Sequence, residues 1–291
     1  MNSSQQDITD RGMDMGLGSA IREFFEETLI KYSAESKRLT VSFRRFFERY
    51  ERRFTHACYQ PYKWLVLAPF LVISTLVLGV LAMVVSLLVS PAAGRYFAVM
   101  WARLNSFFTP MTVSVIGAEN MEPGKSYVVV ANHQSLYDIY ALYGWLGLDF
   151  KWVMKKELAM VPVLGSACKA LGHIFIDRSD SEGAVATLNA AREKIVNGTS
   201  VLFFPEGSRS VDGKLGSFKK GAFRMAMDLG IPILPVTLNG TGEILPKGSV
   251  DLMPGAVSMV IHKPLPVKHH HERNLEKLMT KARISIISGL D

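Results

Sequence analysis

Apolar and polar residues follow three different patterns along the chain. Residues 64–94 contain no charged side chain, and residues 64–90 are almost wholly apolar. Ahead of that run, Phe43, Phe46, Phe47, Tyr50 and Phe54 recur at helical spacing, with Arg45, Arg49 and Arg52 on the opposite side. Beyond about Phe108 the pattern turns into short β-rich runs alternating with amphipathic stretches. It predicts strands over 111–116, 127–131, 150–154, 173–177, 200–204, 231–238 and 257–262. Helices are predicted over 135–147, 163–171, 181–197, 218–229 and roughly 271–288, the fourth closed by Gly230 with Pro232 just beyond. Glu122-Pro123-Gly124-Lys125 is a turn signal between the first two strands. Such alternation defines an α/β fold, a mixed and largely parallel sheet flanked by helices, preceded by an N-terminal membrane-embedded helical segment. The expected organisation is a disordered tail over 1–20, a basic amphipathic helical region over 21–60, a membrane-embedded helix or hairpin over 61–108, and the α/β domain over 109–291.

The apolar run decides the broad class. As one helix it reaches roughly 40 Å at about 1.5 Å per residue, enough for a hydrocarbon core of ~30 Å. A long polar, partly acidic stretch precedes it, so it is not read as a signal peptide. A buried core helix rarely runs this far without charge. Pro69, Ser74 and Gly79 would permit a bend, giving a shallow hairpin that enters and leaves one leaflet. Lys37, Arg38, Arg44, Arg45, Arg49, Arg52, Arg53 and Lys63 precede the run, which places that flank in the cytoplasm. A single span would put everything after Arg95 outside; a hairpin keeps both flanks cytoplasmic. The aromatic-basic helix upstream suits a headgroup region, or equally a helix packed on a soluble domain.

Composition narrows the picture further. With 48 % hydrophobic residues the chain is not of the disordered class. Its two cysteines, Cys58 and Cys168, cannot make a disulfide framework. A net charge of +7 suits an anionic partner. Nucleic acid is set aside, because much of the excess lies beside the apolar run and no recognition motif appears.

Two polar strings follow predicted strands, where α/β sheets build their sites. Asn132-His133-Gln134-Ser135-Leu136-Tyr137-Asp138 puts a histidine at a strand end and an acid five residues on. A histidine held by a carboxylate suits a general base acting on a hydroxyl. Ser135-x-x-Asp138 is equally a capping box, in which Asp138 only starts a helix. In Phe204-Pro205-Glu206-Gly207-Ser208-Arg209-Ser210 a glycine turn exposes backbone amides and an arginine offers a fork for phosphate, with Lys214, Lys219 and Lys220 following. Alone, that string also reads as a solvated turn. No Walker spacing and no GxSxG elbow is present.

In order and spacing the two strings together resemble the glycerolipid acyltransferases, and within them the 1-acyl-sn-glycerol-3-phosphate (lysophosphatidic acid) acyltransferases. Lys155-Lys156-Glu157-Leu158, Pro162-x-x-Gly165, the string from Gly172 to Arg178 and the proline-containing strand from Ile231 to Val236 fall in family order. The likeness covers roughly residues 110–265, with serine at 208 where threonine is commoner; it leaves residues 1–60 unassigned. It implies that His133 takes the proton from the acceptor hydroxyl as it attacks an acyl thioester, and that Asp138 orients the imidazole. Glu206, Gly207, Ser208 and Arg209 would hold the acceptor, with Arg209 on the phosphate and Arg178 and Lys155 as further phosphate contacts. Lys156 is the alternative to Lys155, since neighbouring strand positions face opposite ways. The product would be phosphatidic acid. No cofactor is implied beyond acyl-CoA or acyl carrier protein as co-substrate; the partners are the bilayer and a lysophospholipid, with the catalytic domain facing the cytoplasm. The same dyad suits another acceptor (another lysophospholipid, glycerol-3-phosphate or a lyso-aminolipid), and the fold without turnover suits a lipid-binding protein. His269-His270-His271 has no carboxylate partner at ligand spacing and carries no metal expectation. His56, His173 and His262 read as structural, and two Asn-Gly-Thr strings match the glycosylation pattern.

Overall fold

The structure, a computed structural model, describes residues 56–177, 179–195, 198–211, 213–267 and 272–291. The expected tail over 1–20 and nearly all of the basic region over 21–60 lie outside the described residues, as do Arg178 and the three consecutive histidines. The chain divides into two compact units after Gln60, and the second, Pro61–Asp291, holds the sheet and its flanking helices.

Among the described residues one helix is long and apolar enough to cross a membrane. A wide π turn over Lys63–Leu67 runs without a break into α1 (Ala68–Leu88), so Pro69 stands in continuous helical backbone, just past the widened turn that accommodates its missing N–H. The bend expected at Pro69, Ser74 or Gly79 does not occur; α1 runs through all three. The chain reverses at Val89 and Ser90 instead. There Ser90 accepts a capping hydrogen bond from the Ala93 amide at 3.1 Å, and Pro91 opens α2 (Pro91–Phe108). The two helices are antiparallel. Phe70 stacks on Phe108 with ring centroids 3.7 Å apart, Ser74 Oγ donates to Asn105 Oδ1 at 2.8 Å, and Trp101 Nε1 donates to Thr75 Oγ1 at 2.9 Å. Their seam is built from small residues, Ala82, Ser86, Gly94 and Ala98 among them. A Cβ on Gly94 would fall 1.9 Å from Ser86 Oγ, so the helices meet there almost backbone to backbone. Outward, α1 presents Val72, Ile73, Leu76, Val77, Val80, Leu81, Val84 and Leu87.

Among the described residues seven strands follow: β1 (Met111–Ile116), β2 (Val128–Ala131), β3 (Asp149–Lys155), β4 (Ile174–Ile176), β5 (Thr199–Phe203), β6 (Ile233–Asn239) and β7 (Gly255–Ile261). They form one sheet in the order β1-β7-β6-β2-β5-β3-β4, parallel throughout except between β6 and β7. The turn at 122–125 therefore joins strands that are not neighbours. β2 and β6 are buried at every position and occupy the middle, as continuous apolar runs should. Pro235 is tolerated there because its carbonyl faces the β7 side and accepts from His262, one residue past the end of β7. Its missing N–H faces the same way, so the proline costs one bond at the very end of the β6–β7 pairing and none within it.

Intervening helices are α3 (Tyr137–Trp145), α4 (Leu164–Ala170), α5 (Ser181–Ala190), α6 (Gly221–Leu229), the short α7 (Thr241–Ile244) and α8 (Glu272–Ser288). The helix expected over 181–197 ends at Ala190 and gives way to a 3-10 turn over Arg192–Lys194. On one face of the sheet Val128, Val130, Val201, Phe203 and Ile233 pack with Leu188, Phe223, Ala226, Leu278 and Ala282 from α5, α6 and α8. The alternate positions Val129, Leu202 and Leu234 are fully buried on the other face. Outside that layer the α1–α2 pair packs on α3 and α4; Arg103 Nε donates to the Gly144 carbonyl at 3.0 Å and Trp101 lies against Tyr140.

Candidate active site

β2, β5 and β6 run parallel and side by side, so the segments leaving their carboxyl ends meet on one edge of the sheet. Asn132 starts the first. Its side-chain amide donates to the Leu238 carbonyl at 2.8 Å and its Oδ1 accepts the Leu238 amide at 2.7 Å, which extends the β2–β6 pairing by one residue. His133 comes next, with its backbone held from both sides. Its amide donates to Glu206 Oε1 at 2.9 Å and its carbonyl accepts the Ser210 amide at 2.7 Å. The imidazole lies flat on Phe204, with ring centroids 3.8 Å apart and planes 8° from parallel.

His133 Nδ1 and Asp138 Oδ2 are 2.7 Å apart. Asp138 is completely buried, while the His133 side chain keeps 16 % of its surface exposed. The same Oδ2 accepts the amides of Gln134 at 2.8 Å and Ser135 at 2.9 Å, and Oδ1 accepts the Thr241 hydroxyl. Both oxygens of Asp138 are thus held by donors of the surrounding loops. Ser135 Oγ also accepts the Tyr137 amide at 3.2 Å, so the helix start is capped as the Ser135-x-x-Asp138 spacing suggests. One carboxylate serves both ends: it closes the first turn of α3 and fixes the histidine. With Nδ1–H donated to Asp138, Nε2 is the ring nitrogen left to accept a proton.

Glu206 is committed to the scaffold as well. Its second oxygen accepts the Gly216 amide at 2.7 Å, so this carboxylate bridges the β2 exit to the far side of the β5 loop. Gly207 has φ +75°, and a Cβ there would sit 2.9 Å from Lys219 Cε. Ser208 is exposed and Arg209 half-buried; the Arg209 carbonyl accepts Lys247 Nζ at 2.6 Å. Lys155 ends β3, two strands from β2 across β5, with Nζ 3.1 Å from Glu157. Lys156 pairs with Asp177, whose carboxyl this contact and the Ser179 donors hold well below the usual range. The structure therefore gathers His133, Asp138, Glu206, Gly207, Ser208 and Arg209 on one edge, with Lys155 further along it.

Two openings adjoin this edge. A cleft of about 990 Å³ is lined by Gln134, Ser210, Lys214, Glu243, Lys247 and Arg283 among others. A smaller, more apolar one of about 290 Å³ is walled by Phe203, Phe204, Pro205, Gly207 and Met225, with Asp177, Lys219, Arg224 and Asp228 also lining it. Phe204 thus belongs both to the packing of His133 and to the wall of the apolar opening. No cluster of His, Cys, Asp and Glu suited to a metal occurs among the described residues.

Sequence reasoning missed Thr241 and the stacking role of Phe204. Thr241 lies in one of the two strings that match the glycosylation pattern. The structure gives that string another use: Asn239 is buried and donates to the Gly289 carbonyl at 2.7 Å, and Gly240 turns at φ +85° to bring Thr241 back to Asp138. His173 is structural, accepting the Trp152 amide on Nδ1 and paired with the Tyr143 hydroxyl on Nε2. His262 bonds Thr237 Oγ1 at 2.8 Å.

The Acyltransferase family pattern matches residues 112–239. A Chlamydomonas reinhardtii protein named 1-acyl-sn-glycerol-3-phosphate acyltransferase is 41 % identical over 61 % of this chain and 53 % of its own length. Proteins of the same name from Saccharomyces cerevisiae and Pseudomonas aeruginosa are each 32 % identical, over 73 % and 66 % of this chain and 71 % and 76 % of their own lengths. The crystal structure of the 1-acyl-sn-glycerophosphate (LPA) acyltransferase PlsC from Thermotoga maritima superposes with a TM-score of 0.64 at 27 % identity, over 81 % of this chain and 97 % of that one. The match spans about half the length of the algal and plant relatives. The chain belongs to the 1-acyl-sn-glycerol-3-phosphate acyltransferase family.

Proposed function

We propose that this protein moves an acyl chain from a thioester, acyl-CoA or acyl carrier protein, to the free sn-2 hydroxyl of lysophosphatidic acid, giving phosphatidic acid. The observation that carries the proposal is the 2.7 Å contact between His133 Nδ1 and the fully buried Asp138. His133 Nε2 takes the hydroxyl proton as the oxygen attacks the thioester carbonyl. The imidazolium formed is stabilised by Asp138, and collapse of the tetrahedral intermediate expels the thiolate, which recovers the proton. No covalent acyl-enzyme is needed. Arg209, beside the glycine turn at 207, binds the acceptor phosphate together with Ser208, with Lys155 and Arg178 as further phosphate contacts. Glu206 holds the two loops in register for this. The apolar opening walled by Phe204 takes an acyl chain.

A lysophospholipid keeps its tail in a bilayer, so the enzyme must work at the headgroup plane. The antiparallel α1–α2 pair supports a monotopic hairpin: its outer surface is apolar and both ends return to the same side. With thioesters on the cytoplasmic side, the α/β unit faces the cytoplasm. Cysteine-accessibility mapping that found residues 110–291 on the other side would sink this placement.

Purified protein offered lysophosphatidic acid with each donor in turn should yield phosphatidic acid and free thiol in equal amounts. Turnover only with a phosphate-free lyso-aminolipid would replace the acceptor, and thiol without new lipid would replace the reaction by thioester hydrolysis.

A further inference from the structure

Leaving β3 at the active-site edge, the chain makes a 3-10 turn over Lys156–Met160 and continues through Val161, Pro162 and Val163 into α4. This short segment turns its apolar side chains outward: Met160 is 83 % exposed, Leu158 40 % and Val161 39 %. It is not a loose loop. The Gly165 amide donates to the Val161 carbonyl at 2.8 Å, and a Cβ on Gly165 would fall 2.3 Å from the Ala159 carbonyl oxygen. Val163 sits at φ +61°, a costly place for a β-branched residue. Its Cγ1 is seated against α1 at Gly79, where a Cβ would approach to 2.9 Å. Around Gly79, α1 exposes Leu76, Val77, Val80 and Leu81. The exposed apolar side chains of the segment therefore continue the outward apolar surface of α1.

We infer that residues 158–161 are a second bilayer contact, made by the α/β unit itself and entering the same apolar layer as α1. The inference rests on the monotopic reading of the α1–α2 pair. The occupant is the hydrocarbon layer and not an anionic headgroup, since the side chains that the segment turns outward, Leu158, Met160 and Val161, are apolar and carry no charge or donor. The consequence is orientation: a hairpin alone leaves the α/β unit free to tilt, whereas a contact beyond the end of β3 brings the active-site edge down to the membrane.

The test uses the full chain with Cys58→Ser, carrying one cysteine at a time in place of Met160, Val77 or Val211 and labelled with an environment-sensitive fluorophore. Burial pushes the Cys168 thiol up to about 12, which keeps it a poor competitor for label. Labelled protein goes into uncharged phosphatidylcholine vesicles whose lipids are brominated at mid-chain. The expected result is quenching at 160 comparable to that at 77, with none at 211, which is 82 % exposed on another loop. Quenching at 77 with 160 behaving like 211 overturns the second contact and leaves the hairpin reading intact. Quenching at neither overturns both. As a check on the unlabelled protein, Leu158→Gln with Met160→Gln should raise KM severalfold for vesicle-embedded acceptor and leave it unchanged for a short-chain, water-dispersed one. Equal effects on both acceptors would overturn the inference.

Discussion

Asp138 accepts hydrogen bonds from His133, Gln134, Ser135 and Thr241 without exposure to solvent. An asparagine there would turn an amide N–H₂ toward at least one of those donors, costing packing of the loop as well as the charge that steadies the imidazolium. Asp138→Asn should lower kcat by roughly 10²–10⁴, read in a steady-state assay of phosphatidic acid formation. Thr241→Val removes one charge-assisted donor and should cost about 1.5–3 kcal/mol, seen as roughly a ten- to hundredfold fall in kcat or a matching loss of stability. Thr241→Ser should restore it, an outcome a purely steric role for the methyl group would not produce. The pairing of His133 with Asp138 is legible because they stand only five positions apart and a strand end fixes the first. Thr241 is not legible. It lies 103 residues from Asp138 and reaches it only because β2 and β6 are neighbours in the sheet, a fact that no local pattern contains.

Elements behave in the same way at larger distances. Helices and strands of the α/β unit follow from periodicity and turn residues, within a few positions at most boundaries. Their order in the sheet does not, because crossovers between parallel strands are long-range choices. The helical hairpin shows how a local signal is misplaced. Pro69 and Gly79 draw attention inside the apolar run, yet the π turn just ahead of Pro69 accommodates the proline without a reversal, and Gly79 serves a close approach by Val163. The true reversal lies at Ser90-Pro91, an N-cap followed by proline at the first helical position. Two glycines carry testable weight here. Gly94→Leu should separate α1 from α2 and lower the thermal midpoint of the detergent-solubilised protein by several degrees; an unchanged midpoint would show that the seam is not needed. Gly207→Ala puts a methyl group into both a left-handed turn and the Lys219 side chain, and should cost about 1–3 kcal/mol of stability with a rise in KM for the acceptor, measured by urea unfolding and initial rates.

For the whole molecule, stability against pH has a clear sign. Burial, with Lys151 adding to it, pushes the His173 imidazole down to about 3, whereas in an unfolded chain it titrates near pH ~6.5. Between those values the unfolded chain binds the extra proton and the folded one does not. The contribution is therefore fully present above the unfolded value and is lost as pH falls through the window toward the folded one. By pH 5 the loss should reach about 2 kcal/mol, visible as a lower urea midpoint, and His173→Gln should flatten this part of the curve even if it lowers stability at pH 7. A wild-type midpoint unchanged between pH 7 and pH 5 would remove His173 from that role. The unit Pro61–Asp291 places an apolar helix pair over one side of a sheet and a polar edge at its strand ends, and that edge is assembled from segments far apart in sequence.

The most direct test of the central claim, that His133 and Asp138 work as one base, is a double-mutant comparison. Rates of phosphatidic acid formation from lysophosphatidic acid would be measured for the wild type, His133→Ala, Asp138→Asn and the double variant, with folding of each checked by its unfolding midpoint. If the pair is one base, His133→Ala abolishes measurable turnover and adding Asp138→Asn lowers the rate no further. Folded His133→Ala protein turning over at the wild-type rate would contradict it.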